Sequence, residues 1–229
     1  MPTYQSEPSG RGAVLLRNPL RSLDAAQRQN LIGMTVDRSG SMDHLSEVAV
    51  RSLNELITQQ KEIGVESRFT LTLFNNQIST IHDGIPLCDV PPLTRAQYEA
   101  SGGTALNDAV AHLIRTLSTR APGQGHSVLC VILTDGEEGC SREHKVDDVK
   151  QMVCYRKLTH GWQFCLLGPE SARDYAKAIG IPAGNYAPFK TTPDGLRLML
   201  ERLSSSVSAY RLGDRQFALK VHKLPPRLC

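Results

Sequence analysis

The chain has 229 residues, of which 40% are apolar and 21% charged, and its net charge at pH 7 is +3. These values are typical of a soluble globular protein with one sizeable core. A charge this close to balance, without a run of like charges, argues against nucleic acid or a membrane surface as the partner, and no apolar stretch is long enough to cross a bilayer.

The compartment is predicted from the N-terminus and the cysteines. The only apolar run near the N-terminus, residues 13–16, is too short for the core of a signal peptide. The six cysteines include no CxxC pair, and Cys130 and Cys165 lie in apolar, strand-like runs. We therefore expect a cytoplasmic protein with reduced thiols rather than a disulfide framework or a zinc ribbon.

The first half of the chain alternates between strand and helix patterns after about 30 irregular residues. Residues 83–103 form a long loop rich in glycine and proline, and loops of this length without secondary structure often have a function. The elements predicted in this half are a buried strand at 31–36, a helix at 43–63 ended by Gly64, and two strands at 68–74 and 78–82 joined by a hairpin turn.

The second half continues the alternation. Ser171 and Asp174 have the spacing of a capping box, and Thr192-Pro193 is typical of a helix start. The elements predicted in this half are helices at 106–117, 142–158, 171–179 and 193–207, and strands at 127–134, 163–167 and 184–189.

This alternation predicts an α/β fold: a Rossmann-like, doubly wound, mostly parallel central sheet with one antiparallel edge strand and helices on both faces. The predicted organisation is an N-terminal extension at 1–27, one domain at 28–212 and a C-terminal tail at 213–229.

Side chains with oxygen donors cluster in three loops that follow or precede the predicted elements. The sequence "TVDRSGSM" carries Asp37, Ser39 and Ser41, the sequence "SGGTAL" carries Thr104, and the sequence "LTDGEE" carries Asp135. In open parallel sheets, ligands bind at the carboxyl ends of the strands near the topological switch point. We therefore expect these five residues to lie in one neighbourhood.

Two carboxylates and three hydroxyls are hard oxygen donors, and they suit Mg²⁺ or Mn²⁺ rather than zinc or copper. Each motif also has a simpler interpretation: Ser41, Asp43 or Thr104 could cap a helix, and Asp135-Gly136 is an ordinary turn dipeptide. The joint occurrence of the motifs at three strand-end loops favours the metal site.

The motifs resemble those of von Willebrand factor A (vWA) domains over about residues 28–210. Their amino-acid sequences are most similar to those of stand-alone bacterial members. "DRSGSM" matches the Asp-x-Ser-x-Ser signature, "GGTAL" the distant threonine and "LTDGEE" the second aspartate. The resemblance implies a complete metal-ion-dependent adhesion site formed by Asp37, Ser39, Ser41, Thr104 and Asp135.

The resemblance further implies a protein-binding module in which a partner's Asp or Glu carboxylate completes the coordination of the cation. Small bacterial members commonly act beside AAA+ ATPases of the MoxR type, or in stress, tellurite-resistance and phage-defence systems. In this family, partner binding is often coupled to a shift of the last helix, here about 193–208.

The alternative function is an enzyme, a Mg²⁺-dependent phosphate-ester or nucleotide hydrolase on the same fold. The sequence contains no GxGxxG after a strand, no P-loop and no GxSxG elbow. A two-metal hydrolase would need more carboxylates than Asp37 and Asp135, and no histidine lies in the three loops to activate a serine. We therefore expect a binding module and not an enzyme.

Overall fold

The computed structural model describes residues 29–214 and 217–219. The described part starts with a buried strand, and strands then alternate with helices apart from one pair of consecutive strands. The strands are β1 (Asn30–Asp37), β2 (Arg68–Phe74), β3 (Ile78–Pro86), β4 (Ser127–Leu133), β5 (Gln163–Gly168) and β6 (Tyr186–Pro188). The helices are α1 (Ser46–Glu62), α2 (Leu106–Arg120), α3 (Val146–His160), α4 (Arg173–Ala178) and α5 (Pro193–Arg211).

The six strands form one sheet in the order β3-β2-β1-β4-β5-β6. Every neighbouring pair is parallel except β2 and β3, which are antiparallel at one edge. This arrangement confirms the predicted Rossmann-like α/β fold. The order reverses between β1 and β4, whose register pairs Val36 with Leu133, so the two strands end side by side. The switch point of the sheet therefore lies just beyond Asp37 and Leu133.

Helices cover both faces of the sheet because central parallel strands are apolar on both sides. Helices α1 and α5 pack on one face with residues such as Leu53 and Leu203, and α2 and α3 pack on the other with residues such as Leu113 and Val153. No helix within 29–214 and 217–219 combines the length and apolar composition needed to cross a bilayer.

Glycine and capping residues set several of the helix boundaries. Helix α1 ends at Glu62 and Gly64 follows with a φ of 70°, the left-handed conformation expected after a helix end. Thr192 caps α5, since its Oγ1 accepts a hydrogen bond of 3.2 Å from the backbone N–H of Gly195. Both features agree with the sequence predictions.

The structure corrects other predicted boundaries. The first residues of the helix predicted at 43–63 belong to a 3-10 turn, Gly40–Leu45, and the α-helix starts at Ser46. Strand β3 continues to Pro86, so the long connection is shorter than predicted. The capping box predicted at Ser171 is wrong: residues Glu170–Ala172 form a 3-10 turn, and α4 starts after Ala172 without a side-chain cap.

Helix α3 starts at Val146, four residues later than predicted, and the segment before it binds Asp108 through its backbone. The N–H groups of Arg142, Glu143 and His144 all donate to that carboxylate. This loop, residues 134–145, then runs beside the start of α2, where it contributes to the candidate site.

Candidate metal centre

Asp37 is the last residue of β1, and its side chain is fully buried. Its Oδ1 accepts a hydrogen bond of 2.7 Å from the N–H of Ser39, and its Oδ2 accepts one of 2.6 Å from Oγ1 of Thr134. Its backbone carbonyl accepts a hydrogen bond of 2.5 Å from the hydroxyl of Tyr98. The carboxylate is therefore held in one orientation at the switch point.

A chain of hydroxyls connects the two strand ends. Oγ of Ser39 lies 3.1 Å from Oγ of Ser41, which donates a hydrogen bond of 2.8 Å to Oδ1 of Asp135. Because the single hydroxyl hydrogen of Ser41 goes to Asp135, Ser39 is the donor to Ser41. The loop after β1 and the loop after β4 therefore present their oxygen atoms to each other.

Thr104 reaches the same place from the loop before α2. A methyl group placed on Gly136 would lie 3.4 Å from Oγ1 of Thr104 and 4.0 Å from Oγ of Ser41, so both hydroxyls face this glycine. The Thr104 loop is fixed to the Ser39 loop, since the N–H of Gly40 donates to the carbonyl of Gly102 at 2.9 Å. The structure thus brings all five sequence-predicted residues together at the switch point of the sheet.

Helix capping does not explain these side chains. Ser39 precedes the 3-10 turn and makes no side-chain capping hydrogen bond. Helix α1 follows Leu45, and α2 follows Ala105, also without side-chain capping hydrogen bonds. The simpler interpretation of Ser41, Asp43 and Thr104 as caps is therefore not supported by the geometry.

The electrostatics of the two carboxylates favour a cation. Burial raises the pKa of Asp37, the hydrogen bonds from Thr134 and Ser39 oppose that rise, and the negative charge of Asp135 adds to it. Burial likewise raises the pKa of Asp135, against the hydrogen bond from Ser41. The like charges of the buried Asp37 and the half-buried Asp135 repel each other, and a bound cation would remove that cost.

The donor set fits Mg²⁺ or Mn²⁺. Its atoms are carboxylate and hydroxyl oxygens, the ligands that hard dications prefer. Among residues 29–214 and 217–219, no three His, Cys, Asp or Glu side chains are grouped as metal ligands, so a site at the switch point depends on its hydroxyls. Asp37, Ser39, Ser41, Thr104 and Asp135 would hold the cation.

Three residues near the site were not recognised from the sequence. Thr134 and Tyr98 bind Asp37 from positions 97 and 61 residues away, and no local pattern reveals such contacts. An acidic residue in a loop is ordinarily solvated, but the carboxylate of Glu138 accepts hydrogen bonds from backbone N–H groups of two segments. Its neighbour Glu137 is exposed.

His44 lies beside the site, although it is not aligned to activate a serine. Its Nδ1 is 2.8 Å from the carbonyl oxygen of Ser41, and its Nε2 is 3.1 Å from the carbonyl oxygen of Thr191. Both ring nitrogens therefore face backbone carbonyls rather than a hydroxyl. This residue therefore connects the 3-10 turn at Gly40–Leu45 to the segment that leads into α5.

Residues 12–175 match the family model described as "VWA domain containing CoxE-like protein". The chain belongs to this VWA family. Domains of the family generally mediate protein–protein interactions, often in a metal-dependent way, and are usually interaction modules rather than enzymes. The search of curated proteins found no match to the sequence.

Solved structures support the VWA fold. The von Willebrand factor type A protein from Catenulispora acidiphila has a TM-score of 0.57 and 16% identity, covering 80% of this chain and 43% of its own. The ArnB paralog VWA2 from Sulfolobus acidocaldarius has a TM-score of 0.54 and 17% identity, covering 76% and 45%. The pilus adhesin SpaC from Lactobacillus rhamnosus GG has a TM-score of 0.63 and 13% identity, covering 79% and 31%. Each match spans less than half of the other protein.

Proposed function

We propose that this VWA domain is a protein-binding module that depends on Mg²⁺ or Mn²⁺ at a metal-ion-dependent adhesion site. The observation that carries the proposal is the convergence of Asp37, Ser39, Ser41, Thr104 and Asp135 from three separate loops at the switch point. A bound cation would supply a concentrated positive charge at this point.

The balance of charged and neutral ligands supports an acidic partner. Only Asp37, which is buried, and Asp135, which is half-buried, carry charge in the set, whereas the three other donors are neutral hydroxyls. Such a set leaves positive charge available for an incoming carboxylate, which is a hard oxygen ligand in its own right. The partner would therefore present an Asp or Glu side chain to the site.

Cation binding can be tested by titrating Mn²⁺ into the protein in a calorimeter. We expect the wild type to bind one ion, and Asp37→Ala to weaken binding by more than about ten-fold, because even outer-shell contacts of metal sites are worth about 10–100-fold. Asp43→Ala is the matched control, since Asp43 lies in the adjacent turn with 75% of its side chain exposed. A wild type that binds no Mn²⁺ would refute the proposal.

The same variants test partner binding. Capture of a partner by the immobilised protein should require Mg²⁺ or Mn²⁺, be lost in EDTA and with Asp37→Ala, and persist with Asp43→Ala. Undiminished capture in EDTA would contradict a metal-dependent interface.

The setting of this activity is also a proposal. We propose a cytoplasmic adaptor, similar to stand-alone bacterial VWA proteins, whose partner is an AAA+ ATPase or another component of a stress, tellurite-resistance or phage-defence system. The division into an extension at 1–27, a domain at 28–212 and a tail at 213–229 remains part of this proposal. No contact of the described residues favours the hydrolase alternative.

A further inference from the structure

Glu138 is half-buried in the loop after β4, three residues beyond Asp135, and its carboxylate accepts four hydrogen bonds. Oε2 accepts from the backbone N–H of Asn107 and from Oγ of Ser141, each at 2.7 Å. Oε1 accepts from the N–H groups of Cys140 and Ser141, at 3.0 and 2.7 Å. One carboxylate thus joins the first turn of α2 to the loop that carries Asp135.

Asp108, in the first turn of α2, makes the reciprocal connection. Its carboxylate accepts hydrogen bonds from the N–H groups of Arg142, Glu143 and His144 and from the ring of His144, at distances that begin at 2.7 Å. These hydrogen bonds lower the pKa of Asp108 although its burial opposes that. Oγ of Ser141 accepts from the N–H of Asp108 at 3.1 Å, so the two connections share a residue.

Thr104 lies between the segments that this network joins. Its carbonyl accepts hydrogen bonds from the N–H groups of Gly139 at 3.0 Å and Cys140 at 3.2 Å, the two residues that follow Glu138. The Thr104 loop is therefore bound to the Asp135 loop directly at residue 104 and again, through Glu138, at residue 107. These bonds hold the Thr104 loop against the loop that carries Asp135.

We propose that Glu138 is a positioning residue of the metal centre, which sets the distance between Thr104 and Asp135 without contacting the cation. The proposal rests on the proposed metal-dependent function. Outer-shell groups of this kind determine how well first-shell ligands are oriented, and their loss weakens metal affinity. Glu137 carries the same charge one residue closer to Asp135 but is exposed, so charge alone does not give Glu138 this role.

The test compares Mn²⁺ affinity in Glu138→Gln and Glu137→Gln. Glutamine offers one acceptor oxygen in place of two, so it cannot keep all four hydrogen bonds. We expect Glu138→Gln to weaken Mn²⁺ binding by about ten-fold, and Glu137→Gln to change it by less than about two-fold, as exposed substitutions usually do. Equal affinities in the two variants would overturn the inference.

A double-mutant cycle with Thr104→Ala separates positioning from a general loss of structure. If Glu138 acts through Thr104, Glu138→Gln should cost little further Mn²⁺ affinity once the hydroxyl is gone, whereas fully additive losses would overturn the inference. Hydrogen exchange should show faster exchange at Gly139 and Cys140 in Glu138→Gln and unchanged exchange in β1 and β4.

Ser141→Ala provides a second variant if Glu138→Gln does not fold, since it removes one hydrogen bond to Glu138 and one from Asp108. We expect it to cause a smaller loss of Mn²⁺ affinity than Glu138→Gln. An unchanged affinity would overturn the inference. Failure of the proposed function itself would appear differently, as a wild type without Mn²⁺ binding.

Discussion

At the scale of the residue, Asp37 is a buried carboxylate in an unfavourable setting that a cation would improve. It has no cationic partner among its hydrogen bonds, which come from a backbone N–H and the Thr134 hydroxyl. Its pKa is raised by burial and by Asp135. A group whose pKa is higher in the folded state stabilises that state when protonated, and this contribution is lost as the pH rises through the folded-state pKa.

Asp37→Asn should therefore stabilise the protein when divalent cations are removed with EDTA. The amide can accept from the N–H of Ser39 and donate to Oγ1 of Thr134, so it keeps the geometry without the buried charge. At pH 7 we expect a higher unfolding temperature than wild type by about 2–4 °C, the shift produced by 1 kcal/mol in a protein of this size.

The pH dependence gives the control for this variant. The difference between Asp37→Asn and wild type should disappear as the pH falls below 3.8, the ordinary aspartate pKa, because Asp37 is then protonated in both the folded and unfolded states. With Mg²⁺ at neutral pH the order should reverse, since a ligand that binds only the folded state stabilises it. A variant less stable than wild type in EDTA at pH 7 would contradict this account.

The five candidate ligands could be predicted from the sequence because their motifs are local and each lies at the end of a recognisable strand or helix. The groups that hold those ligands could not. Tyr98 lies in the connection between β3 and α2, and its contact with Asp37 depends on how that connection folds back over the end of β1. The hydrogen bond that Glu138 accepts from Asn107 could not be predicted either, because it depends on α2 lying beside the loop that follows β4.

At the scale of the element, α2 packs against β1 at Gly33, where the absence of a side chain makes room for the helix. A methyl group at Gly33 would lie 2.5 Å from Cδ1 of Leu117 and 2.9 Å from Cδ1 of Leu113. Both leucines are buried in the core between the sheet and helices α2 and α3. Since Thr104 lies two residues before α2, the position of this helix also affects where the hydroxyl lies.

Gly33→Ala should destabilise the fold by about 1–3 kcal/mol, the usual cost of adding a methyl group to a packed core. Gly123→Ala is the control, because the same methyl group there would meet no atom within 4 Å. Urea unfolding of both variants measures the difference. Equal stabilities would show that Leu113 and Leu117 repack without cost.

Element boundaries were predicted well where the signal was in the element itself and poorly where it lay elsewhere. Gly64 and Thr192 mark their helix ends through their own conformation or side chain. The late start of α3, by contrast, accompanies hydrogen bonds from the preceding loop to Asp108, 34 residues before Arg142. Ser171 and Asp174 have the spacing of a capping box, but a 3-10 turn occupies that position instead.

At the scale of the whole molecule, the sequence after α5 returns to the core. Phe217 and Leu219 are buried, and the rings of Phe217 and Tyr210 meet edge to face at 6.1 Å. The N–H of Leu219 donates to the carbonyl of Gly184 at 3.2 Å. The sequence alone does not indicate whether this segment packs on the domain, since three consecutive apolar residues are too few to show a periodicity.

Leu219→Ala should therefore lower the free energy of unfolding by about 2–5 kcal/mol, as buried leucines do. Leu212→Ala is the matched control, because Leu212 is 68% exposed whereas Leu219 is 8% exposed. The control should remain within about 0.5 kcal/mol of wild type. If chemical denaturation gives both variants the same stability, residues 217–219 contribute nothing to the core.

The two edges of the sheet limit how this protein can assemble with others. Strand β6 has three residues and ends in Pro188, which has no N–H to offer a neighbour, and β3 pairs with β2 through register shifts that distort its edge. An extended peptide laid along β6 would gain few main-chain hydrogen bonds, because the strand is short and its last residue has no N–H. Strand addition at the β6 edge is therefore disfavoured.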